Sequence, residues 1–437
     1  MIVAITQFKR SLQGFVAATL LLIAAPALVC AQTPSRAPAA LSLVEAERMM
    51  LERNRELQVA RRAQESARAE SMVAGQGANP TLSLQTININ PGRGVGAGGP
   101  RDKTVDTTVR IDQLIERGEK RELRVAAAER LEAASDADFA EIKRQQRLAL
   151  HNAYFELALT QEKSTVLADT AALFAKSLEA AELRLKAGDI AQAELARMRV
   201  DAMRAGNDAR ASEADRTRAQ LALAYIVGRE GDARLLRAAD AWPRPDASLA
   251  EGVPAELIDR RPDVRAAQAR LEAFERTREL ARRLRTRDVS VGAQFEHWPQ
   301  SEANQQGSGN SLGFAISIPL FVRHAYGGEI RRAEVDYDAA KDSLARVRAQ
   351  AMGEFGRAWS DLQSAADRVR RYDDGLLAEA RRSADAAEYA YKNGAIGIMD
   401  LLDARRTLRA TQIDAAVAQA DHAKALAAWN ASTTLAE

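Results

Sequence analysis

Proline placement limits this chain more than any other feature. A proline inside a helix removes a backbone hydrogen bond and clashes with the turn before it, and none of the twelve prolines falls between Pro100 and Pro243 or after Pro319. Both stretches are rich in Ala, Leu, Arg, Glu, Gln and Lys, the strong helix formers. Apolar residues recur there at steps of three and four, as in Leu150, Ala153, Tyr154, Leu157 and Ala158. The pattern predicts long helices. A run from about Glu119 to Lys186 would measure roughly 100 Å if unbroken, far longer than an average globular helix.

The chain also repeats itself. NRELQVA, from Asn54 to Ala60, matches RPDVRAA, from Arg261 to Ala267. Farther on, ELRLKAGDIAQAEL (Glu182 to Leu195) aligns with EYAYKNGAIGIMDL (Glu388 to Leu401), which sets Gly188 over Gly394, Ile190 over Ile396 and Glu194 over Asp400. A first repeat over residues 32–227 and a second over 260–437 follow. Between them, residues 228–259 carry Trp242, Pro243, Pro245 and Pro254 and read as an irregular connector.

Each repeat holds two segments in which the period changes to two, the mark of a strand. In the second repeat Val289, Val291, Ala293 and Phe295 alternate with polar residues, and Leu312, Phe314, Ile316 and Ile318 do likewise; strands are expected at about 288–298 and 311–321. In the first, the pair is expected at about 80–90 and 104–114, with Val105, Val109 and Ile111 on one face. Leu82, Leu84, Ile87 and Ile89 change parity midway, which predicts a bulge. Two polar loops separate the pairs, Gly92 to Gly99 and Gln300 to Ser311.

The first residues read as an export signal. Lys9 and Arg10 precede an apolar stretch from Phe15 to Ala25 that is too short to span a bilayer, and Val29 and Ala31 are small residues placed for cleavage before Gln32. Residues 1–31 are therefore expected to leave as a signal peptide, Cys30 with them. Lipidation of Cys30 is the alternative, against which stands Val29 where Gly or Ala is usual. Loss of Lys9 and Arg10, with no acid in the leader, brings the formal charge from +2 to zero. A neutral chain carries no electrostatic footprint for nucleic acid.

Strands with one apolar and one polar face, joined by polar loops, match the pattern of an outer-membrane barrel. Four strands cannot close, and an open edge in lipid leaves backbone groups unpaired at several kcal/mol each. Several chains would have to share one barrel, or else the strands are soluble hairpins capping a helical bundle. A periplasmic coiled-coil scaffold or adhesin is the alternative of another class. Trp298 ends a strand beside a loop, where an aromatic belt at the membrane surface is one reading.

One order of elements is distinctive: a strand, then SIPLFVRHAYGGEIRRAE (Ser317 to Glu334) leading into a long helix, then YKNGAIGIMDLLDARRTL (Tyr391 to Leu408) at a helical hairpin. It resembles the TolC-type outer-membrane factors over nearly the whole exported chain, and RLKAGDIAQAELARMRVDAMRA (Arg184 to Ala205) resembles their cobalt-zinc-cadmium efflux subgroup. The resemblance implies a mixed α/β membrane protein, mostly α. Three copies would form a homotrimer, four strands from each making an outer-membrane β-barrel of about twelve strands that a long α-helical barrel continues into the periplasm. It further implies a periplasmic adaptor (a membrane fusion protein), a proton-driven inner-membrane pump of the RND type, and passive conduction of divalent metal cations. Drugs, other organic solutes or a secreted polypeptide are the alternative cargo.

Gly188 and Gly394 sit between helical runs, where a residue tolerant of positive φ would turn the chain. By resemblance these are hairpin tips gripped by the adaptor, with Asp189, Ile190, Ala395 and Ile396 beside them. Asp400 and Asp403, three apart on one helix face, match an acidic entrance ring, and rings of carboxylates attract cations. Tyr391 and Glu194 match a latch between hairpins. Where the family has a gating arginine, this chain has Ile396. His151, His297, His324 and His422 are scattered without ligand spacing, and neither a nucleophile elbow nor a phosphate loop occurs. The sequence calls for no enzyme, cofactor or metal centre.

Overall fold

The structure is a computed structural model that describes residues 39–89, 92, 97, 105–245, 255–299 and 307–433. The expected signal peptide, Cys30 and most of the two polar loops lie outside the described residues, as does the connector stretch 246–254.

The first repeat begins with a short strand, β1 (Ala39–Leu41), and two helices, α1 (Leu43–Arg53) and α2 (Arg55–Ala74). Strands β2 (Thr81–Ile87) and β3 (Asp106–Ile115) follow, then α3 (Lys120–Ala187) and α4 (Gln192–Val227). The expected unbroken run is real: α3 has 68 residues, about 100 Å of helix. Of the connector, residues 230–235 form a tight 3₁₀ turn, and β4 (Leu236–Ala238) and the short helix α5 (Ala255–Asp259) are regular. The wholly irregular reading of 228–259 is corrected accordingly. β4 pairs parallel with β1, a contact between residues almost 200 apart that no local pattern announces.

The second repeat runs α6 (Pro262–Arg283), β5 (Val289–Trp298), β6 (Gly309–Ser317), α7 (Gly327–Arg371), α8 (Leu377–Lys392) and α9 (Ile398–Thr433). Strand β6 lies two to four residues earlier than expected, because Pro319 cannot donate to a ladder. One π-helical turn, Tyr372–Leu376, separates α7 from α8, with Gly375 off helical angles (φ 167°, ψ −31°).

The four longer strands form one open antiparallel sheet in the order β2-β3-β5-β6. The predicted bulge is absent: β2 pairs without interruption from Thr81 opposite Asp112 to Ile87 opposite Asp106. Ile87 simply falls on the other face, and the strand ends where Asn88 turns to φ 63°. In register, Leu84, Val109, Phe295 and Leu312 form one row, and Leu82, Ile111, Ala293 and Phe314 the next. This face is bare; Phe314 is 88% exposed. Ser83, Arg110, Gln294 and Gly313 form a row of the opposite, polar face. There Arg110 donates two hydrogen bonds to Asp112 at 2.7 Å, across Gly292, where any Cβ would collide with the Asp112 carboxylate. Trp298 belongs to the polar face by alternation, next to Gly309, so the belt reading for it is corrected.

α3 is the central strut, packed against α2, α4, α6 and α9. Buried alanines recur on both α3 and α6, Ala127 and Ala134 on the first and Ala273 and Ala281 on the second, and such small residues let helices approach closely. A core of buried residues from both ends of the first repeat surrounds Tyr154, which is fully buried. Its hydroxyl donates to Leu41 O (2.9 Å) and accepts from the N–H groups of Ala239 and Asp240 (both 3.0 Å), tying α3 to β1 and to the chain after β4. No helix among the described residues is long and apolar enough to cross a membrane.

Candidate functional site

The sequence residues singled out above gather at the ends of two helical hairpins. Gly188 has φ 85° and Gly394 φ 72°, and both close their helices in the same way. The N–H of Gly188 donates to Leu185 O (3.0 Å) and that of Asp189 to Arg184 O (2.9 Å); Gly394 N–H donates to Tyr391 O (3.0 Å) and Ala395 N–H to Ala390 O (2.8 Å). Each pair is a Schellman motif, which needs a left-handed residue where the chain leaves the helix. Both glycines and the neighbouring Asp189 and Ala395 are exposed. Ile190 tucks against the core of the first hairpin, beside Leu185 and Leu195.

Asp400 and Asp403 are both exposed on the first turns of α9. Asp400 also has a local duty: its carboxylate accepts the Gly397 N–H at 3.2 Å, satisfying one of the donors that every helix start leaves free. Asp403 makes no side-chain ion pair or hydrogen bond among the described residues, so its charge faces solvent alone. Glu194 and Tyr391 are each half-buried, and no hydrogen bond joins them in the single chain.

The arginines of LLDARRTLR are the participants that sequence reasoning missed. Arg405 pairs with Glu388 across the second hairpin, and Lys392 joins the same carboxylate at 2.9 Å. Arg406 reaches Asp201 on α4 and lies 5.9 Å from the Phe174 ring centre, and Arg409 reaches Asp208 at 3.6 Å. Below them Leu402, 1% exposed, inserts among Phe174, Leu195 and Met198. α9 is therefore held to the first hairpin by an apolar plug and ion pairs. The seven-residue spacing of Asp201 and Asp208 was readable as two turns of one helix face, but nothing local linked it to α9.

No three His, Cys, Asp or Glu side chains converge as a metal-holding group among the described residues. His422 is buried, and burial pushes its imidazole pKa down, as it does for His151 beside Glu47 and Arg147. A recess of about 310 Å³ lies beside the connector, lined by Gln161, Glu162, Arg216, Arg237, Asp240 and Trp242; Trp242 Nε1 donates to Glu162 at 3.1 Å.

An open sheet with an apolar face, continued by helical hairpins whose longer arms run about 100 Å and duplicated within one chain, defines a class: helical-duct channels of the outer membrane. The model for "Outer membrane efflux protein" matches residues 48–229 and 253–433, and the chain belongs to that family. It is similar to the cobalt-zinc-cadmium resistance protein CzcC of Cupriavidus metallidurans, 26% identical over 313 residues that span 70% of this chain and 72% of that one. It is 30% identical over 175 residues to the pyoverdine export outer membrane protein OpmQ of Pseudomonas putida, spanning 39% of this chain and 36% of that one. In fold it matches the Campylobacter jejuni CmeC outer membrane channel with a TM-score of 0.77 and 15% identity, over 90% of this chain and 85% of the other. The protein is thus an outer-membrane efflux channel reaching into the periplasm, of the kind that works with an adaptor and an inner-membrane pump. A free-standing scaffold or adhesin is set aside by that membership.

Proposed function

We propose that three copies of this chain form the outer-membrane duct of a tripartite exporter of divalent metal cations. Two open edges, β2 and β6, support the trimer: pairing β6 of one copy with β2 of the next would close about twelve strands and leave no edge in lipid. The cargo reading rests on one observation, that the likeness to a cobalt-zinc-cadmium resistance protein runs through 70% of the chain. An adaptor would grip the tips at Gly188, Asp189, Ile190, Gly394, Ala395 and Ile396. Asp400 and Asp403 would ring the entrance, with Glu194 and Tyr391 as a latch. As no metal-holding group of side chains occurs among the described residues, cations would pass without being tightly coordinated.

Expression beside the cognate pump and adaptor, in cells deleted for their own metal-efflux channel, tests the cargo. Restored growth on zinc, cobalt or cadmium, with lower cell-associated metal, is the expected result. Restored siderophore or dye export without metal tolerance would favour the second reading, which the 30% identity to a pyoverdine exporter motivates. In planar bilayers, Asp400→Ala/Asp403→Ala should reduce cation selectivity at low salt and matter little at high salt. Asp403→Ala alone is the cleaner variant, because Asp400 also caps α9.

A further inference from the structure

All four junctions between a long helix and the sheet lie at one end: α2 leads into β2, β3 into α3, α6 into β5, and β6 into α7. At that end the apolar face stops at a paired couple, Ile115 opposite Val289. Arg117 and Arg287 lie two residues farther on, just past the strand ends, one from each repeat. Both are exposed, as is Arg323 just after β6, and none of the three has an ion-pair partner among the described residues. The neighbouring cations differ. Lys120 is paired with Asp288 (2.8 Å), Arg124 with Glu116 (2.9 Å) and Arg283 with Glu119 (3.5 Å), so the nearby carboxylates are already engaged.

Apolar and aromatic groups stand among the free guanidinium groups. Arg287 lies 5.3 Å from the Phe321 ring centre, and Phe321 meets Tyr326 edge-on at 5.2 Å. Leu320 and Val322, on either side of Phe321, are 70% and 84% exposed. Just past the end of the apolar face, then, exposed apolar side chains, an aromatic ring and unpaired arginines stand together, the mixture that suits the boundary between acyl chains and phosphate in a bilayer leaflet.

We infer that this junction is a docking surface for the phosphate of an anionic phospholipid in the periplasmic leaflet. Arg117, Arg287 and Arg323 take the phosphate oxygens, for which the planar guanidinium fork is suited, while Leu320, Phe321 and Val322 reach the headgroup–acyl boundary. The inference rests on the sheet being the membrane-spanning part of the chain. It fixes the depth of the barrel through the helix-to-strand junctions, independently of cargo, adaptor or gate.

The test uses the whole protein reconstituted in phosphatidylcholine vesicles with spin-labelled phosphatidylglycerol or spin-labelled phosphatidylcholine as probe. Wild type should favour the anionic label severalfold at low salt and lose that preference near 1 M salt, where screening acts within about 3 Å. Each Arg→Gln change among Arg117, Arg287 and Arg323 should lower the preference by about fivefold at most. The triple Arg→Lys variant should keep most of it. Equal association of the two labels with wild type, or a preference that survives the triple Gln variant, would overturn the inference. Displacement of the label by inorganic phosphate would overturn the lipid assignment in favour of a soluble anion. Protease-protected insertion is scored on the same vesicles: protein that inserts without preference sinks the headgroup surface alone, whereas protein that never inserts sinks the membrane reading and this inference with it.

Discussion

The two repeats share an order of elements, helix, strand pair and long helical hairpin, and bury different chemistry within it. Their hairpins match in length: α3 and α4 have 68 and 36 residues, while α7, the π turn and α8 cover 327–392 before α9, again 36. α3 and α7 both begin after a residue in the left-handed region, Glu119 at φ 58° and Tyr326 at φ 57°, although neither is glycine. Even an ion pair is duplicated. Arg199–Glu182 (3.0 Å) crosses the first hairpin where Arg405–Glu388 crosses the second.

The side chains at equivalent N-caps diverge. Asn54 caps α2 by accepting the Leu57 N–H (3.1 Å) and donates to Gln146 (3.1 Å) and to Ile226 O (3.0 Å). Arg261, equally buried before α6, pairs with Asp263 and Glu354 at 2.8 Å and leaves Nη1 without a partner. Burial works against its charge, but the two carboxylates outweigh burial and raise its pKa. The first repeat thus closes its core with neutral hydrogen bonds, the second with a buried charge. A shared backbone specifies where a polar group must sit, and leaves open which one.

Five measurements would break or sharpen that comparison. Leu402→Ala, which empties the joint between α9 and the first hairpin, should cost about 3 kcal/mol by chemical unfolding and loosen the repeats from one another. A loss under about 1 kcal/mol would show that the ion pairs alone hold them. Asn54→Ala should cost about 2 kcal/mol, because it strands buried backbone groups. Arg261→Met should cost under about 1 kcal/mol, since removing the guanidinium also removes its desolvation and leaves partners that water can reach. Equal losses for these two would erase the contrast.

Gly188→Ala and Gly394→Ala should each cost about 1 kcal/mol through backbone strain alone, because a Cβ at either site meets nothing within 4 Å. Unequal costs would mean the tips are not equivalent. Arg405→Ala should exceed Arg199→Ala, both under about 1 kcal/mol, as the Arg405 pair is the more sheltered. The smallest effect concerns pH. His151 and His422 have folded pKa values lowered by burial, so the unfolded chain binds more protons below its ordinary histidine pKa. Stability they contribute is present above that value and lost as pH falls below about 6.5. The thermal midpoint should slip between pH 7.5 and 5.5, and His151→Gln/His422→Gln should flatten the slope.

Much of this was legible in the residues themselves. Absence of proline with a three-four apolar rhythm placed α3 and α9, since helix geometry is local. Glycine between two helical runs placed both tips. Parity misled at Leu82 to Ile89, because alternation records which face a side chain takes, and an apolar Ile87 on the polar face is indistinguishable in sequence from a bulge. Trp298 failed for the same reason in reverse: its chemistry suggested a belt, while its register put it on the polar face.

The sequence by itself determined the elements whose causes lie within a few residues: helix lengths, strand periods, the two turns and the duplication. Only the tertiary structure decided the contacts between distant segments. These are the pairing of β3 with β5 that joins the repeats, the β1–β4 couple clamped by Tyr154, and the grip of Arg406 and Arg409 on α4. The physical reason is that a period or a cap is set by backbone sterics and near-neighbour hydrogen bonds, whereas the choice among many possible ion pairs and strand partners is made by burial, which exists only once the chain has closed on itself.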